Sequence, residues 1–244
     1  MAAAAGEERK KTACVTGGNG YIASLLIKML LEKGYAVKTT VRHPEDKESN
    51  SHLEDLKMLG PLEVYRADLA EEGSYDEAVA GCDYAFLLAA PVNYTSKNPE
   101  KELMELGVQG TLNVMRSCVK SGTVKRVVLT SSTAAVSSKP LENDGHGHVL
   151  DEESLSDIDY LTAKRTGLWA YPVSKVLMEK AAAEFAAAEG VSLVTLCPSV
   201  TVGEAPDRQA ADGRYICNGV DTTIVEMARF LADKYPQYDV NTNL

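Results

Sequence analysis

The stretch that most constrains the fold lies near the amino end, where a short β-prone run passes into a glycine turn and then into a helical pattern. Residues 13–16 are small or β-branched, three glycines fall within residues 17–20, and apolar side chains at helical spacing continue to Gly34. This strand–turn–helix order suits a dinucleotide, because its pyrophosphate rests on a helix N-terminus only where the turn carries no bulky side chains.

The spacing of the small residues refines this interpretation. Gly17 and Gly20 make the turn and admit a phosphate, and Ala23 lets the helix pack closely on the strand. An ordinary strand–helix turn remains the alternative, since glycine-rich turns are common. On the dinucleotide interpretation, the expected cofactor contacts in this stretch are Thr16, Gly17, Gly20, Tyr21 and Ile22.

Apolar runs and helical patterns alternate from residue 12 to about residue 203. Such alternation predicts an α/β fold, a doubly wound parallel sheet of the Rossmann type, covered by helices on both faces. The predicted strands after the first cover residues 35–41, 61–65, 84–89, 124–130 and 191–196. The predicted helices after the first cover residues 48–58, 75–80, 100–121 and 169–189, and residues 136–166 are expected to form a polar insertion.

Ligands of such sheets bind at the carboxyl ends of the strands. Arg42 follows the second strand, where an acidic residue would bind a free ribose hydroxyl and an arginine would pair with a 2′-phosphate. We therefore expect NADP rather than NAD, with a plain surface arginine as the alternative. The small residues Ala89, Ala90 and Pro91 end the fourth strand, where the nicotinamide ribose would pass, and Pro198 ends the sixth.

Asp68 and Leu69 follow the third strand. Two interpretations of Asp68 are compatible with each other. Its carboxylate is placed to contact the adenine edge, and the spacing to Glu71 is that of a capping box at the start of the next helix.

Tyr171 and Lys175 are four residues apart near the start of a predicted helix and therefore share one face. A phenol with an ordinary pKa of about 10 is a poor acid–base catalyst at neutral pH, and a neighbouring ammonium group is expected to lower that pKa. Ser132, at the end of the fifth strand, is placed to bond a substrate carbonyl. The alternative is that both helical residues lie on the surface and Ser131-Ser132 is a turn.

Composition excludes several other classes of function. The net charge of −10 argues against nucleic acid and anionic membrane partners, and no apolar run is long enough to span a bilayer. Five scattered cysteines favour reduced thiols and a cytoplasmic location. His146 and His148 lie in a glycine-flanked loop without a third ligand, so we expect no metal site. Residues 1–10 are expected to form a disordered tail.

The glycine motif together with the Tyr171–Lys175 pair resembles the extended short-chain dehydrogenase/reductases. The segments at residues 66–69, 80–83, 124–132 and 169–175 are similar to the plant flavonoid reductases, and Ala23 with residues 88–92 looks most like anthocyanidin reductase. The resemblance implies NADPH-dependent reduction of anthocyanidins to flavan-3-ols. It also implies that Tyr171 is the acid–base group, Lys175 its pKa partner and ribose ligand, and Ser132, rather than Ser131, the carbonyl ligand.

The chain departs from the family in its second half. Only residues 207–212 separate the Val202–Pro206 region from the Gly213-Arg214-Tyr215-Ile216 segment, where family members carry a longer stretch that covers the flavonoid. We expect a cofactor domain at residues 11–203 and a reduced substrate lobe at residues 204–244. Three functions follow as hypotheses: a flavonoid-type reductase, including dihydroflavonol and cinnamoyl-CoA types; an NADP-binding chain with impaired turnover; or a nucleotide-sugar epimerase. The oligomeric state stays open.

Overall fold

The computed structural model describes residues 9–140, 150–199 and 201. Their centre is a sheet of six parallel strands in the order β3-β2-β1-β4-β5-β6. The strands are β1 (Thr12–Thr16), β2 (Ala36–Val41), β3 (Leu62–Arg66), β4 (Tyr84–Leu87), β5 (Arg126–Thr130) and β6 (Leu193–Leu196). The order reverses at β1, as in a doubly wound sheet, so the predicted fold class is confirmed.

Within the described part of the chain, seven α-helices connect and cover these strands. They are α1 (Tyr21–Glu32), α2 (Ser51–Lys57), α3 (Asp76–Val79), α4 (Leu106–Ser121), α5 (Ala134–Ser137), α6 (Ile158–Lys164) and α7 (Ala170–Glu189). A π-helical turn at Glu100–Glu105 leads directly into α4. Among the described residues, none of these helices is both long enough and apolar enough to cross a bilayer.

The sheet separates two hydrophobic cores, because successive side chains of a strand point to opposite faces. In β1, Cys14 belongs to the core formed with α3, α4 and α7, whereas its neighbours Ala13 and Val15 belong to the core formed with α1 and α2. All three are fully buried. The small and β-branched residues of this strand therefore reflect burial on both faces.

Two segments differ in detail from the sequence-based expectations. Residues 136–166 contain the helix α6, which begins after Asp157, whose carboxylate accepts a hydrogen bond from the Tyr160 amide at 2.8 Å. The helix expected over residues 48–58 is shorter, and Ser49 instead donates to the Asp46 side chain in the turn that precedes it. The tail residues 1–8, the histidine-bearing residues 141–149 and the lobe at 204–244 lie outside the described residues.

Candidate active site

The glycine turn after β1 is held against the neighbouring strand β2. Gly17 has a φ of +73°, which favours glycine, and its amide donates to Thr40 Oγ1 at 3.3 Å. The Gly18 amide donates to the Thr40 carbonyl at 2.8 Å, and the Gly20 amide donates to the Gly17 carbonyl at 2.8 Å. The turn is therefore a fixed part of the sheet edge.

Gly18, which the motif analysis did not single out, makes the closest approach in this turn. A Cβ at this position would overlap the Thr39 hydroxyl and lie 2.9 Å from its Cγ2. Behind the turn, the Ser24 hydroxyl lies 2.8 Å from the Gly20 carbonyl, and His52 Nε2 lies 3.2 Å from the Gly18 carbonyl and 3.0 Å from Ser24 Oγ.

Helix α1 starts directly after Gly20 with properties that suit an anion. No side chain caps it, and its first turn contains no acidic residue. The first amides of a helix have no intrahelical acceptor, and the helix dipole places partial positive charge there. Tyr21 is half-buried and Ile22 is exposed in this turn, while Ala23 is buried against the sheet. The residues therefore fit the phosphate groups of a dinucleotide.

The end of β4 is fixed to the end of β1 through a buried side chain. The amides of Leu88 and Ala89 donate to Thr16 Oγ1 at 3.0 and 2.9 Å. Thr16 is fully buried, so its side chain supports the site from below rather than lining it. The segment Ala89-Ala90-Pro91 is half-buried and lies beside the turn, with Ala89 at 3.3 Å from a Cβ placed on Gly17.

Arg42 and Asp68 lie at the ends of β2 and β3. Arg42 is exposed, and no described residue pairs with its guanidinium in an ion pair, so it is accessible to an anionic ligand. The capping box expected at Asp68 is wrong, because α3 begins only at Asp76. Asp68 Oδ1 instead accepts from the Ala70 amide at 2.9 Å in a turn.

Glu71, the other member of that expected cap, pairs with Arg66 through two hydrogen bonds of 2.6 and 2.7 Å. Leu69 is half-buried and packs against α4, where its side chain fills the space beside Gly110. Its carbonyl accepts from Asn113 Nδ2 at 2.9 Å. This contact holds the segment after β3 close to α4.

Ser132 and Tyr171 come together where β5 ends and α7 begins. The Ser132 side chain is close enough to act on the Tyr171 phenol, and its effect is to lower the pKa of that group. Burial acts more strongly in the other direction, and the charge of the Tyr94 phenol group adds to it, so the pKa of Tyr171 is raised above its ordinary value. Tyr94 contacts Tyr171 edge-on, with ring centroids 5.7 Å apart.

Lys175 lies one helical turn further along α7 and is almost completely buried, with 5% of its surface exposed. Its Nζ donates to the Thr130 carbonyl at 3.1 Å and lies 5.9 Å from the centroid of the Tyr171 ring. Burial lowers the pKa of Lys175 to about 8. The pKa of Tyr171 is raised overall, and Ser132 is the side chain that acts to lower it. The expected effect of Lys175 on the phenol stays a prediction.

The end of β6 completes the same edge. The Thr133 amide donates to the Pro198 carbonyl at 3.0 Å, and the Ser131 amide donates to the Leu196 carbonyl at 2.7 Å. The glycine turn, Arg42, the segment after β4, Ser132 and Pro198 thus all lie at the carboxyl ends of the strands, as predicted. Within the described ranges, no group of three metal-ligating side chains is present.

The comparisons with known proteins agree with this geometry. The sequence matches the NAD dependent epimerase/dehydratase family over residues 13–221, which is most of the chain. The chain belongs to this family. It is an NAD(P)-dependent oxidoreductase of the short-chain dehydrogenase/reductase type, as its sequence motifs predicted.

Within the family, the relatives include plant flavonoid reductases. A (2S)-flavan-3-ol-forming anthocyanidin reductase from Vitis vinifera is 39% identical, covering 96% of this chain and 84% of that protein. A dihydroflavonol 4-reductase from Arabidopsis thaliana is 37% identical, covering 95% of this chain and 72% of that protein. Vestitone reductase from alfalfa, whose crystal structure superposes with a TM-score of 0.71, is 32% identical in sequence, and the match covers 95% of this chain and 84% of that chain. The predicted resemblance is confirmed.

Two further findings bear on the cofactor and on the second half of the chain. Gre2 from Candida albicans, solved in complex with NADPH, has a TM-score of 0.71 at 30% identity, covering 80% of this chain and 59% of that chain. The alignment to the Vitis vinifera enzyme runs over 285 residues, more than the 244 residues of this chain. That relative therefore carries residues within the aligned stretch for which this chain has none, in agreement with the expected internal gap.

Proposed function

We propose that the chain is an NADPH-dependent reductase of flavonoid-type substrates, and that an anthocyanidin is reduced to a flavan-3-ol. The observation that carries the proposal is the cluster of three side chains: Ser132 acts on the Tyr171 phenol, and the buried Lys175 has its Nζ 5.9 Å from the centroid of the Tyr171 ring. This cluster lies at the same sheet edge as the glycine turn, so a nicotinamide cofactor and a carbonyl-type substrate can meet there.

The candidate cofactor residues divide by the part of NADPH that they would hold. The pyrophosphate would lie on the α1 N-terminus, against Gly17 and Gly20. Arg42 would pair with the 2′-phosphate, and its exposed guanidinium without an ion-pair partner among the described residues supports a preference for NADPH over NADH.

The remaining cofactor contacts lie along the same edge. Asp68 and Leu69 would border the adenine, and Ala89, Ala90 and Pro91 would border the nicotinamide ribose, which Lys175 would also bind. Pro198 would close the nicotinamide end. Residues 11–203 would then form the cofactor domain, and residues 204–244 a reduced substrate lobe.

The chemistry of the chain's own residues follows from their placement. When bound, the cofactor would supply a hydride to the substrate. Ser132 would orient the reacting oxygen, and the Tyr171 hydroxyl would deliver a proton to it. Because burial raises the pKa of Tyr171, the phenol is protonated at neutral pH and is ready to act as the acid. The Lys175 ammonium would stabilise the phenolate left behind.

Aromatic and apolar side chains beside Tyr171 support an aromatic substrate. Val92 and Tyr94 follow β4 and are 55% and 52% exposed, and the Tyr94 ring contacts Tyr171. A planar aromatic ligand could pack on such side chains with its reacting centre at the Tyr171 hydroxyl. The names of the related reductases point to flavonoids as that ligand.

The direct test is cyanidin reduction by Tyr171→Phe, followed by loss of NADPH absorbance and by product analysis. Loss of a general acid typically costs about 10²- to 10⁴-fold in rate, whereas NADPH binding should be retained. Tyr160→Phe, which changes a half-buried tyrosine of α6, is the matched control. Undiminished reduction by Tyr171→Phe would refute the acid–base assignment. Reduction of a dihydroflavonol or a cinnamoyl-CoA in place of cyanidin would reassign the substrate.

A second candidate function is cofactor binding with impaired turnover. The observation that favours it is the stretch of the Vitis vinifera relative that this chain lacks. Water exclusion and substrate positioning both contribute to such catalysis, and a shorter substrate lobe would weaken them. Steady reduction of cyanidin by the purified chain would rule this candidate out. Saturable NADPH binding without turnover of any of the three substrate types would favour it.

A further inference from the structure

Glu179 occupies a position on α7 that the motif does not include. It follows Lys175 by four residues, as Lys175 follows Tyr171, so the three side chains lie along one face of the helix. Its Oε1 accepts a hydrogen bond from the Ser131 hydroxyl and lies 3.7 Å from Cys197 Sγ. The carboxylate therefore joins α7 to the ends of β5 and β6, directly behind the site.

Lys175 has few other groups to stabilise its charge. It is almost completely buried, and its Nζ donates a hydrogen bond to the Thr130 carbonyl. No carboxylate in residues 9–140 or 150–199 forms an ion pair with it at close range, and Glu179 is the carboxylate whose charge acts on it. A buried ammonium group without a compensating negative charge tends to lose its proton.

We propose that Glu179 is a positioning residue for the reaction: held by Ser131 and Cys197 one helical turn from Lys175, its carboxylate keeps Lys175 in the charged form that the site uses. The inference rests on the proposed function for its catalytic meaning, but the electrostatic claim stands without turnover. Because Ser131 precedes Ser132, the same carboxylate also fixes the turn that carries the candidate carbonyl ligand.

The sign of the effect follows from the groups that face Lys175. These are Glu179 from the same helix, Cys197 from the end of β6 and the Tyr171 ring. Burial has the largest effect and lowers the pKa of Lys175, Glu179 and then Cys197 act in the opposite direction, and the resulting pKa is about 8. Removing the Glu179 charge removes an influence that raises the pKa of Lys175, so Lys175 loses its proton at a lower pH. The fall of activity on the alkaline side of the pH profile then also begins at a lower pH.

The test is Glu179→Gln, which keeps the size and an acceptor for Ser131 but removes the charge. Glu184→Gln is the matched control, an exposed glutamate on the same helix. The Lys175 titration is followed by NMR of ¹³Cε-labelled lysine, with its signal assigned by loss in Lys175→Arg. The pH profile of kcat/KM for NADPH-dependent reduction is measured in parallel. Glu179→Met, also uncharged and of similar length, gives the same test if Glu179→Gln fails to fold.

We expect the Lys175 midpoint to fall by about one pH unit in Glu179→Gln and to stay unchanged in Glu184→Gln. For a midpoint near pH 8, such a shift lowers the charged fraction at pH 8 about fivefold, while the fraction at pH 6 barely changes. An unchanged Lys175 midpoint in the folded variant overturns the inference. A shifted midpoint in a chain that reduces no substrate supports the inference and refutes the proposed function, so the two failures are distinguishable.

Discussion

At the scale of single residues, the glycine turn depends most on Gly18. Alanine at this position would bring its Cβ against the Thr39 side chain, whose hydroxyl donates to the Val15 carbonyl at 2.7 Å. We expect Gly18→Ala to lower the free energy of unfolding by about 1–3 kcal/mol, the usual cost of overpacking a tight site. Urea unfolding measures this loss.

A double mutant separates overpacking from a general effect of the substitution. Thr39→Ala removes the atoms that a Cβ at Gly18 would meet first. In that background, Gly18→Ala should cost clearly less than in the parent chain. An equal cost in both backgrounds would contradict the steric explanation.

Arg42 is the residue on which the cofactor preference depends. A charge-assisted hydrogen bond between an arginine and a phosphate contributes about 1.5–3 kcal/mol. We therefore expect Arg42→Ala to weaken NADPH binding by about 10- to 100-fold and to leave NADH binding nearly unchanged. Fluorescence titration with both cofactors measures these affinities. Arg126→Ala is the control, because Arg126 begins β5 and therefore lies at the amino end of the strand, away from the carboxyl ends that carry the site. Equal weakening of NADH binding would contradict the role of Arg42.

At the scale of elements, Asp83 joins the amino ends of three strands. It is 2% exposed, accepts from Arg9 at 2.6 Å and from the Thr12 amide at 2.9 Å, and pairs with Lys125 at 2.9 Å. Its amide also donates to the Thr12 carbonyl at 2.8 Å. These contacts fix the relative positions of β1, β4 and β5, whose opposite ends carry the site.

The same contacts give the stability of the chain a pH dependence. The Lys125 hydrogen bond, followed by the Thr12 amide, lowers the pKa of Asp83 below its ordinary value. The contribution of ionised Asp83 to the stability of the fold is therefore fully present above the ordinary carboxyl pKa, and it is lost as the pH falls through the lowered pKa of Asp83. Asp83→Asn should remove about 1–3 kcal/mol from the free energy of unfolding at pH 7 and flatten its decline in acid.

Urea unfolding between pH 2.5 and 7 measures both effects. Glu71→Gln, which breaks the exposed pair with Arg66, is the control and should change the stability little, because exposed ion pairs contribute weakly. If the free energy of unfolding of Asp83→Asn declines in acid as steeply as that of the parent chain, Asp83 is not the source of this pH dependence.

The elements that sequence patterns predicted best are those buried on two faces. The run at residues 12–16 is such an element and follows from its small and apolar residues. The end of α7 follows from a different signal, Gly190, whose φ is +67°. Helix α6 was missed because its polar surroundings hide the pattern, although Asp157 before Ile158 is a cap signal. The prediction of a capping box at Asp68 is wrong because an aspartate side chain can accept a backbone hydrogen bond in a turn as well as at the start of a helix, and here it does so in a turn.

The site was predictable to the extent that it lies at strand ends. Once the strands are ordered, Ser132 and Tyr171 must approach each other, and local spacing places Lys175 beside them. The contacts of His52 with Gly18, and of Glu179 with Ser131 and Cys197, join elements far apart in sequence. No local pattern contains them, since they depend on how α2 and α7 pack. The direction of the Tyr171 pKa likewise depends on burial.

At the scale of the whole molecule, the described residues contain a complete switch point of a doubly wound sheet. The strand order reverses at β1, and open sheets of this kind bind dinucleotides at the point of reversal. On the proposed domain division, the residues that the Vitis vinifera relative has and this chain lacks belong to the substrate lobe rather than to the cofactor domain. Cofactor binding is therefore the property on which the account depends first.

The most direct test is fluorescence titration of the purified chain with NADPH and, in parallel, with NADH. The account predicts saturable binding of NADPH, with NADH bound at least about tenfold more weakly because it lacks the phosphate that Arg42 would pair with. Equal affinity for both cofactors, or tighter binding of NADH, would contradict the role of Arg42. Binding of neither would contradict the central claim that the glycine turn and the strand ends form a working cofactor site.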